Sequence, residues 1–526
     1  MFRLTKALKL IKFRSQSFSS AQTNQTSTKL QAWSYGEGYL GTLGGNDFSD
    51  VPIPKVISAL KDSDVGSIDC GWGHSAFLSR DGSSVAVCGR PLDFRNTLRN
   101  ISIRKGGLTF IQTAMNELSR FLFPGDVGPQ ITSASNVLKD STDSFVHLVC
   151  GKGGLTGLVS RSGKAFIFGG NKFGQCGVGV PPQVSGSDVI SLPPLDLPNQ
   201  MSHVAGIDEN EGIVCLALGL EHCLAVTNTG NLYSWGRGDR GQLGHSQIAH
   251  LFKAVCVMGP SMSWAGGCQI VAAQAGASQS AAIDIHGGLW IWGKMNSLER
   301  KEARADGYIM KDQMEPRLVT FSDEPDAEFI TNELVQSNSG DANVLKQCLE
   351  GRDVGIVTPI NGRLLPIIRA DTLPFDKGVV MGQDIVNAKS GGRKRKVSAV
   401  SISQAHTSIL TDDGRLWLIG LRGRGLLYDS ETSDNPEPQT VFPEVYSQTT
   451  PLEIDPGPLK SLSVIALRSG LHHSLALTSC GRVFRWGWKG IVRELTSDEL
   501  GEIANASRLV DLSLGYCHTV LLAKEK

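Results

Sequence analysis

Histidine is the side chain best suited to proton transfer and metal ligation near neutral pH. Five of the eleven histidines in this 526-residue chain, His74, His222, His406, His473 and His518, stand in one repeated setting. Each of the first four lies eight residues before a glycine (Gly82, Gly230, Gly414, Gly481), and a second glycine such as Gly89 or Gly236 follows six or seven later. Leu155 and Gln279 occupy the same position in two further copies. Side chains at equivalent points of separate copies do not converge on one substrate, so the histidines read as hydrogen-bonded scaffold residues and no metal is expected at them. Two glycine patterns, Gly36-x-Gly38-x-x-Gly41 and Gly236-x-Gly238-x-x-Gly241, satisfy the dinucleotide-binding signature. That signature works only where a helix follows at once to meet the pyrophosphate. Here further turn residues follow, Thr42-Leu43-Gly44 and Gln242-Leu243-Gly244. Gly151-Lys152-Gly153-Gly154 lacks the spacing of a phosphate-binding loop, and none of the eleven cysteines forms a CxxC pair. Cysteines within strand-like runs (Cys88, Cys215, Cys223) read as buried thiols. No serine or cysteine nucleophile stands beside a base. Neither a catalytic residue nor a cofactor is expected.

The elements that position these residues follow from the clearest copy, residues 219–244, which reads as strand, turn, strand and glycine loop. Its markers recur as His74/Gly82/Gly89, Leu155/Gly163/Gly169, His222/Gly230/Gly236, Gln279/Gly287/Gly293, His406/Gly414/Gly420 and His473/Gly481/Gly487. A seventh begins at His518 and stops at the chain end, and its missing half, Leu30 to Gly44, lies at the other terminus. Six whole copies and two complementary halves make an all-β, seven-bladed β-propeller, closed by pairing of the N- and C-terminal strands. Closure removes the open sheet edges. Sixty glycines and 19% charged residues suit such a turn-rich chain. A degenerate eighth copy around Gly351, Val354 and Gly362 is disfavoured by Pro366, which would remove a ladder donor.

Spacing, glycines, aromatic strand and split closing blade together resemble the regulator of chromosome condensation repeat family, over residues ~30 to 526. Ser403 departs from the glycine that opens the other copies. Trp72, in Gly71-Trp72-Gly73-His74, is similar to a motif of the plant UV-B photoreceptor of this family, but it occurs once and with Gly73 in place of arginine, which argues against light sensing. The resemblance implies a non-catalytic interaction platform. In mitochondrial members such a platform is linked to organellar RNA processing, ribosome assembly and respiratory-complex biogenesis. The alternative it implies is a guanine-nucleotide exchange factor, as in the nuclear member acting on Ran, for a small or dynamin-like organellar GTPase.

Residues 1–36 carry six basic residues (Arg3, Lys6, Lys9, Lys12, Arg14, Lys29) and no acid. Residues 1–29 read as a basic, amphipathic, Ser/Thr-rich mitochondrial transit peptide, directing the protein to the matrix or the matrix side of the inner membrane. The remainder holds 45 basic against 51 acidic residues, a net of −6. That balance disfavours binding DNA or RNA through phosphate. Apolar runs such as 213–220 are too short to cross a bilayer. A monomeric propeller with protein partners, a GTPase or an organellar ribonucleoprotein complex, is the expectation.

Two connections, ~90–145 and ~294–397, are long enough to be functional. In the first, Phe110, Ala114, Leu118 and Phe121 recur at helical spacing, so that Phe110, Leu118 and Phe121 form a candidate docking stripe, weighed against packing on the rim. The second ends in a basic run at Arg393, which reads as a solvated loop. The compact loops Arg237-Gly238-Asp239-Arg240 and Arg422-Gly423-Arg424 are candidate contacts for an acidic partner surface.

Overall fold

The computed structural model describes residues 29–38, 41–45, 48–89, 130–133, 138, 143–179, 202–259, 269–294, 313–319, 358–360, 363–365, 396–403, 406–422, 446–470, 473–487 and 492–525. Among these, seven four-stranded antiparallel sheets form the seven blades that the repeat spacing predicts.

Blade 1 runs Val65–Cys70, His74–Ser79, Ser84–Gly89 and Gln130–Ser133, and blade 2 Phe145–Cys150, Thr156–Ser160, Ala165–Phe168 and Ser202–His203. Blade 3 comprises Ile213–Leu218, His222–Thr227, Leu232–Gly236 and Leu251–Met258, and blade 4 Ile270–Ala275, Gln279–Asp284, Leu289–Gly293 and Gln313–Leu318. Blade 5 comprises Val397–Ile402, His406–Thr411, Leu416–Arg422 and Tyr446–Ile454, and blade 6 Val464–Ser469, His473–Thr478, Val483–Gly487 and Arg493–Glu494. Blade 7 joins Ser507–Leu514 and His518–Glu525 from one end of the chain to Leu30–Gly36 and Val51–Val56 from the other. Its seam runs in register from Leu30 opposite Lys524 to Gly36 opposite His518.

The strand that bears the aromatic residue in blades 2 to 7, Trp235 for example, is third of four, and a further strand lies outside it. In blades 1 and 4 that fourth strand falls inside the long connections (Gln130–Ser133 and Gln313–Leu318). Where the degenerate eighth copy lies, the described residues form the hairpin Thr358–Ile360 with Arg363–Leu365. Val51–Val56, with Pro52 and Pro54, is an edge strand, where a missing ladder donor is tolerated. Two short helices, Ser497–Leu500 and Glu502–Ala506, pack on it. The first is held by a Thr496/Glu499 capping box.

Among the described residues the core is divided between blades. Seven apolar clusters each sit between two neighbouring blades, for example Leu216, Leu218 and Ala225 of blade 3 with Leu155, Val159 and Ile167 of blade 2. Each cluster is complete only when both blades are present. Turn glycines between second and third strands take positive φ in blade after blade, Gly82 at 74° and Gly230 at 89°. A Cβ on Gly82 would also meet the Phe145 carbonyl oxygen at 2.1 Å. Only glycine accepts both conditions.

Candidate functional site

The repeat histidines begin the second strands, on the face where first strands end. His74 Nε2 lies 3.0 Å from Thr156 Oγ1 and His222 Nε2 2.9 Å from Ser280 Oγ. His406 Nε2 lies 2.8 Å from Ser474 Oγ and His518 Nε2 3.0 Å from Ser75 Oγ. In each of these four cases the partner belongs to the next blade and directly follows that blade's own repeat position. Gln279 preserves the link, since the Thr407 hydroxyl donates to its Oε1 at 2.8 Å. Leu155 is matched by Cys223, and both are buried in the cluster between blades 2 and 3. Thr519, in the corresponding place of blade 7, is hydrogen-bonded to the Tyr35 side chain. The two departures at Leu155 and Gln279 are therefore paired across the joint with the residue that suits them.

Ser75 and Ser280 donate their only protons to the Thr42 and Gln242 carbonyls, both at 2.8 Å. The imidazoles of His518 and His222 must then donate through Nε2. Glycine opens these copies because the imidazole lies against its Cα: a Cβ on Gly71, Gly219 or Gly515 would approach the histidine Cε1 to 2.1, 2.4 or 1.9 Å. In blade 5 the opening residue is Ser403, and its Oγ stands 3.0 Å from His406 Nδ1. Burial lowers the pKa of His74 and His222 to about 4 and of His518 to about 3. These rings are neutral and enclosed at neutral pH, unlike a general base poised near the working pH.

The glycine loops clamp one blade to the next. The Gln175 carbonyl accepts from Trp235 Nε1 at 3.0 Å and from Cys223 Sγ at 3.2 Å. The Gln242 carbonyl likewise accepts from Trp292 Nε1 at 2.9 Å. Both dinucleotide-like patterns are filled by protein: a Cβ on Gly38 or Gly238 would lie 2.0 Å or 1.9 Å from the carbonyl oxygen of Ser49 or Ala249.

Within the candidate contact loop, Arg237 turns inward. It pairs with Glu221 and Asp239, its side chain is 14% exposed, and its guanidinium stacks on Phe173 at 4.7 Å. Asp239 also receives the Gln242 amide. Both are therefore ordered within the loop, and Arg240 is half-buried beside them. Arg422 ends the third strand of blade 5 opposite Tyr446. Arg424, Phe110, Leu118 and Phe121 lie outside the described residues. Trp72 packs on Tyr516 across the closing joint, ring centroids 5.1 Å apart. Cys88, Cys215 and Cys223 are buried, and burial pushes the Cys88 and Cys223 thiols well above the ordinary range. Among the described residues no group of three or more His, Cys, Asp or Glu could hold a metal ion, and no helix is long and apolar enough to cross a membrane.

The inter-blade hydroxyl acceptors were not foreseen from the sequence, although the signal was present: the residue after each repeat position is Ser or Thr except at Cys223.

Two family models, both described as regulator of chromosome condensation (RCC1) repeat, match residues 31–78 and 229–283 and residues 213–242. The ultraviolet-B receptor UVR8 of Arabidopsis thaliana is 26% identical over 212 residues, 40% of this chain and 38% of the receptor. The mouse secretion-regulating guanine nucleotide exchange factor is 26% identical over 280 residues, covering 52% of this chain and 50% of that protein. The chain thus spans half or less of the length of both these relatives. The mitochondrial RCC1 domain-containing protein RUG3 of Arabidopsis is 23% identical over 395 residues, 73% of this chain and 74% of that protein. Among solved structures, human WBSCR16 superposes with a TM-score of 0.57 at 17% identity, over 94% of this chain and all of that one. Yeast RCC1 (Prp20) gives 0.55 at 15%, over 95% and 90%. With seven blades and a split closing blade, the chain is a β-propeller that carries regulator of chromosome condensation repeats within residues 31–78 and 213–283.

Proposed function

We propose that the chain is a mitochondrial, non-catalytic interaction platform that supports organellar RNA processing, ribosome assembly or respiratory-complex biogenesis. The observation that carries this reading is the likeness to mitochondrial RUG3 along 73% of the chain, coupled with an acid-free, basic segment at residues 1–36. The ring supports it physically, because its repeat histidines and glycine loops bind blade to blade and leave partner recognition to the faces and long connections. Residues 1–29 act as the import signal and 30–526 as the platform, with partners held by the ~90–145 connection through Phe110, Leu118 and Phe121. Fusing the first forty residues to a fluorescent protein should direct it to mitochondria, and a cytosolic signal refutes import. Affinity purification from isolated mitochondria should recover ribosomal or RNA-processing proteins. Replacing Phe110, Leu118 and Phe121 by Ser should abolish that recovery with the melting temperature unchanged.

A second reading is guanine-nucleotide exchange, favoured by the likeness to the mouse exchange factor. Recovery of one GTPase whose nucleotide release the purified chain accelerates would support this reading over the first.

A further inference from the structure

The first strands of neighbouring blades touch around the whole ring and enclose an axial channel. On the face carrying the turns at Gly163 and Gly414 the channel widens to a cavity of about 610 Å³. Toward the histidine face it narrows to about 30 Å³, beside Asp69, Lys152 and Ser513. That is room for about one water. The wide part lies within the ~300–1,000 Å³ typical of small-molecule sites.

Strand register sorts the lining. Second positions of the first strands place Val146, Val214, Val271 and Ile465 at the mouth, and Val146 is 50% exposed. Fifth positions place Gln274 and Arg468 deeper, where both line the cavity and the constriction. The Arg468 side chain is 22% exposed. Its Nη1 donates to the Leu467 carbonyl at 3.1 Å, and Nη2 forms a longer ion pair with Asp511 Oδ1 at 3.6 Å, which leaves donors of the guanidinium without a hydrogen-bond acceptor. A guanidinium carries five donors in a planar fork that matches a carboxylate. Two guanidiniums, Arg161 and Arg468, and one carboxylate, Asp412, belong to the cavity wall, and Asp511 forms an ion pair with Arg468.

An aliphatic mouth over an incompletely paired guanidinium is complementary to one chemistry. We propose that the axial cavity binds an aliphatic monocarboxylate, its carboxylate on Arg468 and its chain against Val214, Val271 and Ile465. The carboxylate gains a charge-assisted fork in a narrow space, and the chain covers aliphatic groups otherwise facing water.

The test is calorimetric titration of the full chain with octanoate, decanoate and decanol. Decanoate should bind once per chain, with affinity rising about threefold to fourfold per methylene between the two acids. Arg468→Gln should weaken decanoate tenfold or more and leave decanol unchanged. Ala272→Phe, which fills the cavity, should abolish both, each variant being checked for an unchanged melting temperature. If Arg468→Gln lowers the melting point, Ala272→Phe still decides. The proposal is overturned by absence of saturable one-site binding, by decanoate binding that survives Ala272→Phe, or by decanoate and decanol binding equally.

Discussion

His518 Nε2 and Ser75 Oγ meet at 3.0 Å although 443 residues separate them, so one hydrogen bond joins the last repeat to the first whole blade. The same Ser75 donates to the Thr42 carbonyl, which brings the N-terminal glycine loop into the joint. The ring is thus closed by the same contact that joins blades 1 and 2, 3 and 4, and 5 and 6.

If these bonds hold the blades, the chemistry of the second residue matters more than its shape. His222→Gln should retain most of the stability, as Gln279 does in its own joint, whereas His222→Leu leaves the Ser280 hydroxyl short of a partner. We expect the leucine variant to lose roughly 1–3 kcal/mol in urea unfolding and the glutamine variant clearly less.

Leu155 and Cys223 provide a reciprocal test. Leu155→His alone places an imidazole opposite a weakly bonding thiol and should destabilise. Adding Cys223→Ser recreates the pair found at His222 and Ser280. A double-mutant cycle should show favourable coupling of about 1 kcal/mol or more, and additive effects would mean the two positions do not communicate.

Gly515 and Gly470 open two equivalent copies with different clearance. A Cβ on Gly515 would lie 1.9 Å from His518 Cε1, but on Gly470 it meets nothing closer than 3.2 Å. Gly515→Ala should therefore lower the melting temperature far more than Gly470→Ala. Truncation after Gly515 removes the strand between Leu30–Gly36 and Ser507–Leu514 altogether and should cause aggregation, visible by light scattering.

Four histidines titrate far below their ordinary value because burial disfavours the charged ring: His74, His222 and His245 near 4 and His518 near 3. The unfolded chain, with histidines near 6.5, binds more protons throughout the interval between. Their contribution to stability is complete above about pH 6.5, declines as pH falls, and is exhausted below the folded values. Unfolding midpoints should drop between pH 6.5 and 4, and His222→Gln should flatten that slope by about one proton. A slope unaltered in the variant would contradict the assignment.

Blade number and closure were legible in the sequence because each repeat marks its own turns with glycines whose positive φ is a local requirement. The two half-copies at the ends then have one way to pair. Fourth strands were not legible. Gln130–Ser133 and Gln313–Leu318 carry neither the glycine frame nor a clear alternation, and they become strands only because the third strand of their blade offers an unpaired edge. Nor could one copy read alone reveal that the residue after each repeat position answers the histidine, glutamine or leucine of the preceding blade, since partners lie between 58 and 443 residues apart. Side-chain type and local turn geometry were determined by the sequence itself. Which hydroxyl meets which imidazole, that Arg237 faces its own loop, and that aliphatic and guanidinium groups from separate blades share one axial cavity were decided by ring closure, which alone brings distant first strands side by side.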